Sequence, residues 1–147
     1  MVILRNLLAF VVGAVVGGVV NMSLVMLGPN VFPPPAGVDV TNPESFAASI
    51  HLFEPRHFVF PFLAHALGTL AGAFAAHRLA ASRGRALAWG VGALFLAGGI
   101  AAARMIPAPT WFVVLDLVGA YLPMAWLGGT LAARLRGAGA GQGRASG

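Results

Sequence analysis

Asp116 lies in Thr110–Leu131 (TWFVVLDLVGAYLPMAWLGGTL), a run long enough to cross a bilayer and otherwise free of charge. A carboxylate at mid-helix in lipid costs about 2.5–3.5 kcal/mol on insertion scales, so it needs a partner or a job. Two other apolar runs each carry one polar side chain at a matching place. Asn21 is seven residues from Gly28, His65 seven from Phe58, and Asp116 six from Thr110. At the rise of an α-helix, all three fall ~9–11 Å below the same boundary. An amide, an imidazole and a carboxylate at one depth could bind a small molecule or an ion, or accept a proton. Arg104, at the same end of a further apolar run, could reach down as counter-charge. The competing reading is that the three bond one another and only fix helix register.

A second constellation is His51-x-x-Glu54-x-x-His57. On one continuous helix these three would share a side and could ligate a metal, with His65 as a fourth ligand. Pro55 opposes this, because the residue before a proline is biased out of helical geometry. His77 and Arg78 close an apolar run and are expected to snorkel toward headgroups. The chain has no Cys, which excludes thiolate chemistry. It has no G-x-S-x-G, H-E-x-x-H, P-loop or G-x-G-x-x-G pattern, so the reading leans away from an enzyme and expects no cofactor.

The elements that must hold these residues are membrane helices. Of 147 residues, 59% are hydrophobic and 9% charged, against roughly 25% charged in a soluble domain. The net charge of +5 does not indicate nucleic acid, because the arginines flank apolar runs and form no stripe. Four runs approach the ~20 residues a bilayer requires, at 7–27, 58–79, 86–103 and 110–131. The first is too long for a signal-peptide core and is read as a retained helix. Pro61 falls in a first turn, where it is tolerated, and Pro123 should kink the fourth span. The expected fold is all-α: a polytopic membrane protein, one four-transmembrane-helix bundle over 1–135, with a loose tail at 136–147.

Arg5, Arg78, Arg83, Arg85, Arg134, Arg136 and Arg144 would lie on one side of the membrane, and Arg56 and Arg104 on the other. The positive-inside rule then puts both termini in the cytoplasm. Asp39, Glu44 and Glu54 fall in the outer loop, 28–57. There Thr41 and Glu44 have capping-box spacing, Asn42-Pro43 is an alternative start, and Phe46, Ile50 and Phe53 form one apolar face. A short amphipathic helix is expected, lying on the membrane or lidding the bundle. Gly13-x-x-x-Gly17 and the row Ala64, Gly68, Gly72, Ala76 are small-residue faces for close packing, within the bundle or in a homodimer.

The segments NMSLVMLG (Asn21–Gly28), PPPAGVDVT (Pro33–Thr41), HLFEPRHFVFPFLAHALGTLAGA (His51–Ala73), PAPTWFVVLDL (Pro107–Leu117) and YLPMAWLGG (Tyr121–Gly129) resemble a family of small bacterial four-helix inner-membrane proteins. The resemblance implies that location and brings no activity with it. Small multidrug transporters share the helix count but need a carboxylate in the first helix, which this chain lacks. Three functions are therefore expected, in order. The first is small-molecule or ion binding and permeation through Asn21, His65, Arg104 and Asp116. The second is an accessory or scaffold subunit of a larger membrane partner, and the last a metal-dependent membrane enzyme using His51, Glu54, His57 and His65.

Overall fold

The computed structural model describes the backbone of residues 1–145 and the side chains through residue 137. The elements are α1 (Val2–Val31), α2 (Pro43–Ser49), α3 (Val59–Leu79), α4 (Gly84–Met105), α5 (Thr110–Gly119) and α6 (Leu122–Ala145), with no strand among the described residues. Short 3-10 turns at Ile50–Leu52 and Pro55–Phe58 join α2 to α3. Four helical stretches are long and apolar enough to cross a membrane: Val2–Val31, Pro55–Leu79, Gly84–Met105 and Thr110–Gly137. Each outruns the apolar run that announced it, because a helix ends where its backbone can be capped and not where hydropathy falls. The expected loose tail falls mostly on residues whose side chains lie outside those described.

α3 is the hub, packed on α1, α6 and α4. Its small-residue row makes this possible. A Cβ built on Gly17 would lie 2.6 Å from the Gly68 carbonyl oxygen, and one built on Gly13 would lie 2.7 Å from that of Gly72. The contact is reciprocal: Gly68 faces the Gly17 carbonyl at 2.8 Å and Gly72 that of Gly13 at 2.7 Å. Only bare backbone allows this approach, which in lipid replaces the hydrophobic drive for association. Both small-residue faces are thus used inside one chain. On the opposite side of α3, a Cβ on Gly128 of α6 would overlap the Leu70 carbonyl oxygen.

The fourth apolar stretch is two helices. α5 stops at Gly119, with the Ala120 N–H bonded to the Asp116 carbonyl at 2.9 Å, and α6 restarts at Leu122. Pro123 is the second residue of α6, where it needs no N–H donor. The kink expected at Pro123 therefore falls ahead of it, at Ala120–Tyr121.

The end of the bundle where α1 begins and α3 ends is tied by polar contacts. The Asn6 side-chain carbonyl accepts the N–H groups of Ala81 and Ser82 at 3.0 and 3.1 Å, and its amide donates to the Ser82 hydroxyl at 2.9 Å. Arg136 donates to the carbonyls of Arg78 and Ala80 at 2.6 and 2.8 Å, capping the C-terminus of α3. The opposite end carries the long loop. Asn42 caps α2, accepting from Glu44 and Ser45 at 2.9 and 3.1 Å, with Pro43 at the first helical position. Thr41 is occupied elsewhere: its hydroxyl and N–H both donate to Asp39. The hydroxyl, and then the N–H, hold the Asp39 carboxyl below its ordinary pKa.

Candidate functional site

His65 comes from the second turn of α3 and Asp116 from the last half of α5. The His65 Nδ1–H donates to both carboxylate oxygens of Asp116, at 2.8 and 2.9 Å. Tyr121 donates its hydroxyl to Asp116 Oδ2 at 3.0 Å. Asp116 is only 5% exposed and Tyr121 only 2%, so the carboxylate is held by two side-chain donors away from solvent. Charge-assisted bonds of this kind are stronger than neutral ones, and they matter most where water is excluded. The His65 and Tyr121 rings stack, with centroids 5.6 Å apart. Behind His65, the buried Thr69 hydroxyl donates to the His65 carbonyl at 2.7 Å, fixing this turn of α3.

With Nδ1 committed to Asp116, Nε2 is the free hydrogen-bonding position of the ring. Among the described residues it has no protein partner. His65 borders two cavities. One, about 270 Å³, lies under the loop and is almost wholly apolar, its walls including Phe46, Ile50, Phe58, Phe112 and Ile106, with His65 and Asp116 as its polar spot. The other, about 220 Å³, lies toward α1 and α4 and is lined by Asn21, Phe95 and Tyr121 among others. Gly99 and Ala102 of α4 also border both.

The sequence-predicted residues thus divide. His65 and Asp116 meet directly. Asn21 borders the same cavity as His65 and packs over Gly68, whose built Cβ would lie 3.0 Å from the Asn21 Cβ, but its amide is not bonded to either partner. Arg104 forms no ion pair with Asp116 among the described residues. It is exposed near the end of α4, and among the described residues the ion pairs are His65–Asp116 and Arg56–Glu54. Asp116 turns toward α3 and Tyr121, where donors lie at bonding distance.

The metal constellation does not assemble. Among the described residues no three His, Asp or Glu side chains are grouped to hold a metal ion. His57 is used by the backbone: Nδ1 accepts the Glu54 N–H at 3.0 Å and Nε2–H donates to the Pro33 carbonyl at 3.1 Å. Glu54 pairs with Arg56 at 3.1 Å, and His51 is exposed. Pro55 breaks the helix that would have aligned them, as its effect on the preceding residue requires. His77 also departs from expectation. It is 6% exposed and does not snorkel, because Gly84 and Gly129 leave room for the ring between α4 and α6.

Tyr121 is the site residue that sequence reading missed. Five positions from Asp116 on an unbroken helix, its side chain would point elsewhere. Pro123 was the available signal, since it announces an interruption, and an interruption changes which residues face each other.

Compared with known proteins, the chain matches no protein family, no curated sequence and no solved structure. The resemblance drawn from the sequence rests on its quoted segments alone.

Proposed function

We propose that the chain is a multi-pass protein of the bacterial inner membrane, both termini cytoplasmic, that binds a small apolar molecule carrying one hydrogen-bonding group. The observation that carries the reading is the position of His65. Its Nδ1 is locked by a buried carboxylate, while Nε2 is left unpaired beside an apolar chamber walled by Phe46, Phe58 and Phe112. Apolar walls with few placed polar groups are the usual composition of a small-molecule site. An intramembrane Asp that faces the bundle interior and is paired fits the same reading. Nδ1 is taken by the bonds to Asp116, so Nε2 is the atom that meets the ligand. The Phe46–Ile50 face of the loop covers the chamber as a lid.

Native mass spectrometry of protein released from membranes tests this. Wild type should retain an apolar molecule that Asp116→Asn and His65→Ala release while remaining folded. Equal retention by all three proteins would remove the site. A C-terminal reporter that is active only in the cytoplasm should light; activity of a periplasm-only reporter would overturn the orientation.

A second reading has its own support. Both Asp116 oxygens are bonded within the chain, as a register-fixing network would be. The protein is then an accessory or scaffold subunit, and one membrane partner should co-purify with it at fixed stoichiometry.

A further inference from the structure

His77 presents a buried polar atom with nothing to bond. Its Nδ1 has no hydrogen-bond partner among the described residues, although the residue is 6% exposed. Buried polar atoms are nearly always paired, so an orphan asks what completes it. The ring sits where α3 ends, against the first residue of α4: a Cβ built on Gly84 would lie 3.0 Å from His77 Cδ2. On its other side is Gly129 of α6, whose built Cβ would lie 3.8 Å from Nδ1. Gly129 also lines a cleft between α4 and α6, so the ring lies behind the wall of that cleft.

That cleft, about 350 Å³, is lined by Arg85, Trp89, Trp126, Gly129 and Thr130, among others. It offers a guanidinium and a hydroxyl beside two half-exposed indoles. The first turn of α4 adds to this. No side chain caps it and it has no acidic residue, so its leading N–H groups are open to an anion. Arg78 and Arg136 lie close enough to act on His77 electrostatically, as does Arg85. The charge at this end is one-sided: Arg5, Arg78, Arg83, Arg85, Arg134 and Arg136 are all here. The four acidic residues of the chain are Asp39, Glu44, Glu54 and Asp116, all outside this end.

We infer that this cleft seats the phosphate of an anionic phospholipid from the cytoplasmic leaflet. Arg85 and the α4 N–H groups meet the phosphate, Thr130 supplies a further hydrogen bond, and Trp89 and Trp126 flank the glycerol and the upper acyl chain. Interfacial tryptophans and a basic pocket between helices on the cytoplasmic side are the features such recognition uses. The inference rests on the membrane reading above but not on the His65 site.

The test uses the full chain carrying Trp111→Phe, which leaves Trp89 and Trp126 as the only indoles. The protein is placed in mixed micelles with brominated phosphatidylglycerol or brominated phosphatidylcholine at equal mole fraction. Tryptophan quenching should favour phosphatidylglycerol about fivefold, the weight one interfacial arginine carries for anionic lipid. Arg85→Gln should abolish the preference. Arg134→Gln, at the same end but outside the cleft, should keep it. Equal quenching by the two lipids would remove the cleft as a site while leaving insertion intact, and no quenching by either would remove insertion as well. An equal loss in Arg85→Gln and Arg134→Gln would mean diffuse charge attraction and overturn the inference. Competition by millimolar inorganic phosphate alone would make it a free-anion site, which also overturns the lipid assignment.

Discussion

Tyr121 bonds Asp116 side chain to side chain at 3.0 Å because the helix breaks between them. On a continuous helix, positions five apart lie ~140° apart around the axis. The break at Ala120–Tyr121 lets the phenol turn back over the carboxylate. Tyr121→Phe keeps the ring and its stacking on His65 but removes this donor. Losing a hydrogen bond to a charged, buried partner costs about 1.5–3 kcal/mol. Thermal unfolding in detergent should fall accordingly. An unchanged midpoint would show that Asp116 is satisfied without Tyr121.

Gly99 makes room for that phenol. A Cβ on Gly99 would overlap the Tyr121 hydroxyl, whereas one on neighbouring Gly98 meets nothing within 4 Å. Gly99→Ala should therefore displace Tyr121 and destabilise by about 1–3 kcal/mol, the usual range for overpacking. Gly98→Ala should be neutral or stabilising, since Ala exceeds Gly in helix propensity by up to ~1 kcal/mol. The pair is read by comparing unfolding midpoints. Equal shifts would mean that Tyr121 has another place to go.

Much of this arrangement was legible in the sequence. The all-helical class and the four apolar stretches follow from composition and run length, both linear properties. The meeting of His65 with Asp116 followed from counting depth along two helices and from the small-residue row that turns His65 inward. Asn42 as the α2 cap was one of two openings that the residues offered. What stayed hidden depends on side-chain direction after a break or a turn. Arg104 has the right charge at the right end of its helix, but its side chain is exposed. Tyr121 lies on the far side of an interruption whose position Pro123 announced only approximately. His77 looked like a terminal residue free to reach headgroups. Its burial depends on two distant glycines, Gly84 and Gly129, which no local pattern links to it.

The α1–α3 crossing should be the most sensitive contact to added volume. Gly17 and Gly68 each face the other's carbonyl at under 3 Å from a built Cβ. Gly17→Leu should separate the two backbones and cost at least about 1–3 kcal/mol. Gly18→Leu, whose Cβ would meet nothing within 4 Å, should leave stability nearly unchanged. Steric trapping or thermal unfolding distinguishes them. A tolerated Gly17→Leu would mean that α1 is held to α3 elsewhere.

The covering role of the loop can be tested without knowing the ligand. Phe46 and Ile50 border the His65 chamber, and Phe53 packs edge-on against Phe46 with centroids 5.2 Å apart. All three are half-buried, while Asp39 is exposed at the turn before α2. The chain has no cysteine of its own, so single cysteines report cleanly. Cysteine at Phe46, Ile50 or Phe53 should react slowly with a water-soluble thiol reagent, and cysteine at Asp39 should react fast. Adding an apolar ligand that fills the chamber should slow position 50 further and leave position 39 unchanged, since only the former borders the space being filled. Equal rates at all four positions would mean that the segment does not rest on the bundle, and the chamber would then be open to its surroundings.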